Sequence, residues 1–156
     1  MLDLAELIRT QVPAMLRQAR HHRLHFELAL ESASCPLQPE HVLILLRNLV
    51  GNAFRYTQVQ GAVRLYCGIE AGHAYLRVSD SGPGIPESMR ERVFERFFRL
   101  ANANLPGSGL GLSIVQRIAE THGATFQLGI GLDGKGLRVE VRFPTELKEN
   151  HVHEAP

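Results

Sequence analysis

Apolar residues in the first part of the chain follow two helical repeats separated by a short alternating segment. Within residues 3–20 they recur every three or four positions, which predicts an amphipathic helix that Pro13 would bend or split. Residues 24–30 alternate between apolar and polar positions, as in a half-buried strand. A turn-rich link with two prolines at 34–39 follows, and the helical repeat returns at 41–57.

The second half of the chain alternates strand patterns with glycine-rich turns. Residues 63–69 and 74–78 predict an antiparallel hairpin joined near Gly72, and the second strand ends at Asp80, because two glycines and two prolines fall within 80–86. Residues 87–100 have a helical pattern with an aromatic face. A further helix is predicted to end near His122.

Two final strands are predicted at 125–130 and 137–143, linked by a segment with an Asp-Gly hairpin signal. Apart from the aromatic segment at 87–100, the total is three sizeable helices and about five strands. This order predicts an α+β fold, a two-layer α/β sandwich whose helices cover one face of a mixed sheet. We expect one domain at 1–147 and a disordered tail at 148–156.

Composition narrows the possible functions only slightly. The formal net charge of +1 comes from 17 basic and 16 acidic residues, so no basic surface indicates nucleic acid binding. No apolar run approaches the roughly 20 residues that cross a bilayer. Two cysteines, Cys35 and Cys67, are too few for a disulfide framework, which indicates a reducing compartment. Both side chains are expected to be buried in the fold. The histidines at 21, 22 and 25 lack partners at metal-ligand spacing.

The helix at 41–57 carries two carboxamides where a core helix would carry apolar residues. Asn48 and Asn52 lie roughly 40° apart on one face, with Arg55 beside them. Asparagine has low helix propensity and is costly to bury without a partner. The stripe is therefore either the polar side of a surface helix or a face that meets a polar ligand.

Two glycine-rich segments could supply the other side of such a site. Asp80 opens the sequence DSGPG, and the sequence GSGLGL at 107–112 leads into a helix. Free backbone N–H groups at a helix start attract anions. The second segment matches neither the phosphate loop of nucleotide triphosphatases nor the first turn of a dinucleotide-binding unit. A purely structural glycine turn is the alternative.

Taken in order, four motifs resemble the catalytic and ATP-binding domain of sensor histidine kinases, within the wider gyrase, Hsp90, histidine kinase and MutL group. NLVGN at 48–52 resembles the N box, and DSGPG at 80–84 the first glycine box. VFERFFR at 93–99 is similar to the F box, and GSGLGL at 107–112 to the second glycine box. The resemblance implies a Bergerat-type sandwich that holds Mg-ATP beneath a lid at about 100–106.

The resemblance also implies residue roles. Asp80 would accept a hydrogen bond from the adenine amine, and Asn52 would be the Mg²⁺ ligand. Arg55 could reach phosphates. Asn48 stands where gyrase-type relatives carry a water-activating glutamate. Because an amide is no general base, phosphoryl transfer is favoured over ATP hydrolysis. The implied nucleotide contacts are Asn52, Tyr56, Asp80, Gly82, Gly84, Ile85, Arg99, Gly107, Gly109, Leu110, Gly111 and Leu112.

The sequence lacks the phosphoacceptor histidine motif of an intact sensor kinase. We therefore expect a cytoplasmic fragment of a longer, membrane-anchored bacterial kinase, acting on the helical hairpin of that kinase, which is homodimeric in the family, and through it on a response regulator. Contact with nucleic acid or membrane is not expected. A nucleotide-binding regulatory module or an anti-sigma-factor-type serine kinase is the alternative; a gyrase-like or MutL-like ATPase is disfavoured by Asn48 and by the lack of a second domain.

Overall fold

The computed structural model describes residues 1–83 and 111–146. The predicted helix at 87–100, the lid and the tail lie outside the described residues. Three α-helices and seven strands occur in the described part of the chain. The helices are α1 (Leu4–His21), α2 (Pro39–Tyr56) and α3 (Gly111–Thr121); the strands are β1 (Leu2–Asp3), β2 (His25–Leu30), β3 (Ser34–Cys35), β4 (Ala62–Glu70), β5 (His73–Asp80), β6 (Thr125–Ile130) and β7 (Leu137–Pro144).

The main sheet has five strands in the order β2-β4-β5-β7-β6. Strands β2 and β4 run parallel, and the other neighbouring pairs are antiparallel. Two hairpins, β4–β5 and β6–β7, were both predicted by their turn residues. In the first, Ala71 and Gly72 have positive φ angles of 51° and 74°, the turn geometry that suits the twist of a hairpin. The predicted mixed sheet is therefore confirmed.

All three helices pack on one face of this sheet around a single hydrophobic core. Alternation along β4, β5 and β7 sends every second side chain into that core, which confirms the two-layer sandwich. Cys35 and Cys67 are buried and unbridged, and burial raises the pKa of each thiol to about 11. The largest fully buried side chains are Phe54, Phe143, Leu4, Ile8, Leu45, Leu46, Leu65, Leu76, Val42, Val50, Val63 and Val115.

In the N-terminal region, one of two expected alternatives is excluded, and one segment differs from the prediction. Pro13 does not split the first helix, since α1 is continuous through it. The proline is exposed, so water can hydrate the carbonyl group that it leaves without an intrahelical partner. The link at 34–39 contains a strand, β3, that pairs with β1 in a small second sheet. Asp3 caps α1 and accepts hydrogen bonds from the backbone N–H groups of Ala5 and Ala33, which joins the two segments.

The sheet face opposite the helices carries a network of charged and aromatic side chains. Glu140 lies at its centre, only 3% exposed, and accepts hydrogen bonds from Arg77 and Arg142. The Arg77 guanidinium also lies over the rings of Tyr66 and Tyr75. Charged and aromatic side chains therefore cover this face of the sheet. No helix in the described part of the chain is long and apolar enough to span a bilayer.

Candidate functional site

The polar stripe predicted on α2 is present, and its three side chains are all half-buried. Asn48 donates from Nδ2 to the carbonyl of Ile44 at 2.7 Å, which folds part of its amide back onto the helix. Arg55 donates from Nη1 to Asn52 Oδ1 at 3.4 Å, a long and weak hydrogen bond. Asn52 therefore keeps an amide oxygen that a stronger ligand could recruit.

The C-terminal end of α2 is joined to the end of β5 by hydrogen bonds. Thr57 is buried, and its hydroxyl donates to the carbonyl of Ala53 at 2.6 Å. Ser81 accepts the backbone N–H of Ala62 on its hydroxyl at 2.8 Å and donates its own N–H to the Ala62 carbonyl at 3.0 Å. Gln58 donates to the Ser81 carbonyl at 3.4 Å. The helix that carries the asparagines thus has a fixed position relative to the strand that carries Asp80.

Asp80 is the buried carboxyl group of the site, with a residue exposure of 6%. Its Oδ1 accepts the backbone N–H of Gly82 at 2.9 Å and that of Leu137 at 3.1 Å. Burial raises the pKa of Asp80, while the two N–H donors act in the opposite direction. Among residues 1–83 and 111–146 both hydrogen bonds reach Oδ1, and none reaches Oδ2. Oδ2 is thus the atom that can accept a ligand's N–H.

Gly82 brings the turn after β5 against the end of α2. A Cβ atom built on it would lie 2.8 Å from the Tyr56 carbonyl oxygen and 3.1 Å from Asp80 Oδ1. Real Cβ atoms rarely approach so closely, so glycine is required for this contact. The structure therefore brings together three residues predicted from two separate motifs: Tyr56, Asp80 and Gly82.

Two further glycines of this site were not predicted from the sequence. A Cβ atom on Gly131 or Gly136 would lie 2.2 Å or 2.0 Å from the Asp80 carbonyl oxygen. The β6–β7 loop therefore approaches Asp80 closely enough for the Leu137 N–H to reach its carboxylate. The sequence did hold a signal: a short hairpin turn needs fewer glycines than the three at 131, 134 and 136.

Helix α3 packs against α2. His41 and His122 are in contact, with 2.8 Å between Nδ1 and Nε2. His41 lies near the start of α2, and His122 lies just after the end of α3. Since the two helices pack against each other from this contact, they run antiparallel. Asn52 and Gly111 each lie about three helical turns from the histidines, so they lie at similar heights.

The other predicted contacts are not tested. Gly84, Ile85, Arg99, Gly107, Gly109 and Leu110 lie outside the described residues, and so does the side chain of Leu112, although its backbone belongs to α3.

The side-chain oxygens of Asp80 and Asn52 fit a purine nucleotide with a hard cation. A buried carboxylate with one engaged oxygen suits an exocyclic amine, and a carboxamide oxygen suits Mg²⁺. Across the described part of the chain no group of three His, Cys, Asp or Glu side chains could hold a metal ion. A magnesium ion at Asn52 would therefore take other oxygens from phosphate and water.

Comparison with known proteins defines the class. The chain belongs to the family of histidine kinase-, DNA gyrase B- and HSP90-like ATPases, whose family model matches residues 38–147. That match covers the α2 asparagines, Asp80, the β6–β7 loop and the undescribed segment between them.

Two of its relatives are sensor kinases. The chain is 40% identical over 144 residues to sensor protein kinase PmrB of Pseudomonas aeruginosa. The aligned region covers 92% of this chain and 30% of PmrB. Among solved structures, mycobacterial sensor histidine kinase MprB matches with a TM-score of 0.81 at 31% identity, over 92% of this chain and 96% of that one. Full-length ShkA in complex with AMPPNP matches with a TM-score of 0.76 at 29% identity, over 92% and 30%. The chain thus spans 30% of the length of PmrB.

Proposed function

We propose that this chain binds Mg-ATP and is the catalytic part of a sensor histidine kinase, which transfers the γ-phosphoryl group to a histidine on a dimerisation domain outside this sequence. The observation that carries the proposal is the buried Asp80 carboxylate, whose Oδ1 is held by two backbone N–H groups while Oδ2 accepts no hydrogen bond from residues 1–83 and 111–146. The AMPPNP in the ShkA complex supports an adenine nucleotide as the ligand.

Some residues of the site would recognise the adenine base, and others would bind the phosphates and their cation. Asp80 accepts the adenine amine and fixes the base, while Gly82 lets the backbone lie close to it. Asn52 would hold Mg²⁺, and Arg55 would exchange its weak bond to Asn52 for a phosphate. When bound there, magnesium would supply charge neutralisation at the transferred phosphoryl group.

In this proposal, Asn48 favours transfer of the phosphoryl group to a protein over hydrolysis of ATP. An amide cannot take a proton from water, and here its Nδ2 is already bound to the Ile44 carbonyl. Water activation is therefore disfavoured, and the phosphoryl group is kept for a protein acceptor. The remaining predicted contacts, from Gly84 and Ile85 through Arg99 to the second glycine box, would surround the phosphates.

The test is to add the phosphoacceptor helical hairpin of the parent kinase in trans, with Mg²⁺ and γ-labelled ATP. We expect acid-labile label on the hairpin histidine, and no stable label on the isolated chain. A hairpin with its histidine replaced by glutamine is the matched control and should stay unlabelled. Acid-stable label on serine, or ATP binding without any transfer, would contradict the histidine kinase assignment.

A further inference from the structure

His41 and His122 form a contact between helices that the proposed function does not use. Their ring nitrogens Nδ1 and Nε2 are 2.8 Å apart, a hydrogen bond in which one nitrogen donates and the other accepts. The rings meet edge to face, with centroids 5.0 Å apart and an interplanar angle of 79°. On the other side, His122 lies against the ring of Phe143 at 6.5 Å. Both histidines are half-buried.

The contact joins the two helices that carry the proposed nucleotide ligands. His41 lies in the first turn of α2, the helix of Asn48 and Asn52. His122 directly follows α3, which begins at Gly111, and its backbone N–H donates to the carbonyls of Ile118 and Ala119 at 3.2 Å. A change in this contact would therefore alter how α2 and α3 pack beside each other.

The pair can hold one positive charge but not two. A neutral pair and a singly protonated pair each keep one N–H donor and one lone pair, so the hydrogen bond survives. A second proton removes the last lone pair and places two like charges less than 3 Å apart. The hydrogen bond is then lost and replaced by repulsion.

No other charge in the described part of the chain compensates for that repulsion. Glu40 on α2, Glu120 on α3 and Glu146 beyond β7 are exposed, and no ion pair joins any of them to either ring. On β7, Glu140 and Arg142 face the opposite side of the sheet, where they pair with each other and with Glu70 and Arg77.

We propose that His41 and His122 form a protonation-sensitive clasp between α2 and α3, whose opening at acid pH loosens the nucleotide site. The effect on folding stability stands on the geometry of the pair alone. The effect on nucleotide affinity rests on the proposed function, and the two are measured separately.

The sign of the pH dependence follows from His122. Burial lowers its pKa from the ordinary value of 6.5, and the charge of His41 lowers it further. The unfolded chain therefore binds this proton more readily than the folded chain does. The stabilising contribution is fully present above about pH 6.5 and is lost as the pH falls from there through the folded pKa.

The stability test compares the native chain with His41→Gln and His122→Gln, whose amides cannot titrate. Thermal unfolding midpoints are recorded from pH 8 to pH 5. Between those limits the midpoint should fall by at least about 2 °C more in the native chain than in either variant. His25→Gln, an exposed histidine at the start of β2, is the control and should follow the native curve.

An NMR titration of the His122 ring keeps the proposal testable even if a variant folds poorly, because it uses the native chain. We expect a midpoint below 6.5. Equal pH slopes in the native chain and both variants, or a His122 midpoint at or above 6.5, would overturn the clasp.

The affinity test measures the ATP dissociation constant at pH 8 and pH 5.5 in the native chain and in His122→Gln. The acid weakening should be at least about threefold greater in the native chain, since titration of ATP itself is common to both proteins. Equal weakening with a titrating His122 would overturn the coupling to the site but leave the clasp. Absence of ATP binding at pH 8 would instead overturn the proposed function.

Discussion

At the scale of single residues, the position of Asp80 depends on glycines that were not part of any predicted motif. Gly136 has a φ of 79° and lies so close to the Asp80 carbonyl that a Cβ atom would overlap it. Gly134, two residues earlier, has a similar φ of 73° but open space around it. Both glycines therefore need a left-handed backbone conformation, but only Gly136 is also in close steric contact.

Substituting each glycine by alanine tests this distinction. Both variants lose roughly 1–2 kcal/mol because alanine disfavours a left-handed conformation. Gly136→Ala should lose a further 1–3 kcal/mol, on the order of an overpacked core position, and should also weaken ATP binding because Asp80 must move. Urea unfolding and calorimetry measure the two effects. Equal stability and affinity in Gly134→Ala and Gly136→Ala would contradict the contact.

The Asp80 carboxyl group itself should separate stability from binding. Asparagine keeps an Oδ1 acceptor for the Gly82 and Leu137 N–H groups, and it removes a charge whose burial raises the pKa of Asp80. Asp80→Asn should therefore unfold at no lower a urea concentration than the native chain.

The same variant should bind ATP roughly 10–100-fold more weakly, because an amide N–H₂ in place of Oδ2 would face the adenine amine donor to donor. Calorimetric titration measures this, with the exposed Asp133→Asn as the control. Unchanged affinity in Asp80→Asn would show that the base is bound elsewhere.

At the scale of elements, Glu140 links β7 to β5 on the open face of the sheet. Burial alone would raise the pKa of Glu140, but hydrogen bonds from Arg142 and Arg77 outweigh it, and the pKa is lowered from 4.5. The folded chain therefore holds this proton less readily than the unfolded chain. The stabilisation is present above about pH 4.5 and is lost as the pH falls below it.

Glu140→Gln should lower the free energy of unfolding at pH 7 by about 1–3 kcal/mol, because it weakens the charge-assisted hydrogen bonds that two arginines donate to this buried position. Glu70→Gln is a matched control: Glu70 faces the same two arginines, but its side chain is 55% exposed. That variant should lose less than about 1 kcal/mol. Losses of equal size in urea unfolding would show that burial adds nothing to the Glu140 contacts.

Elements with a strong local signal were predictable from the sequence, and contacts between distant segments were not. The alternation in β4 and β5 and the helical repeat in α2 each depend on neighbours along the chain. The pairing of β1 with β3 depends on Asp3 meeting Ala33, and no local pattern encodes it. Pro13 was expected to bend or split α1; the helix is not split, and the exposure of the proline became visible only in the fold.

The geometry of the candidate site likewise combines residues from local motifs with contacts between distant segments. Asn52, Tyr56, Asp80 and Gly82 belong to ordered motifs, and the structure places Tyr56, Asp80 and Gly82 together. Gly131, Gly136 and the His41–His122 contact depend on how β7 and α3 meet the rest of the molecule. Such close approaches are set by tertiary packing, which a single sequence does not reveal.

At the scale of the whole molecule, one face of the sheet builds the core and the other carries a network of ion pairs, so the proposed nucleotide site lies at an edge of the sandwich. Both hairpins end near that edge: β5 supplies Asp80, and the β6–β7 loop supplies the glycines against it. In the proposed function, the asparagines of α2 complete this site. Residues from motifs separated by more than 30 positions would then act on one ligand.

The central claim is that a nucleotide binds here with magnesium. The most direct measurement is the thermal unfolding midpoint of the chain with ATP or a non-hydrolysable analogue, with Mg²⁺ and with a chelator, for the native protein and for Asn52→Ala. A ligand at 100 times its dissociation constant adds about 2.7 kcal/mol of stability. We predict a shift of that order with Mg-ATP, a smaller one with the chelator, and no magnesium dependence in Asn52→Ala. No shift with either nucleotide, with or without magnesium, would contradict the account.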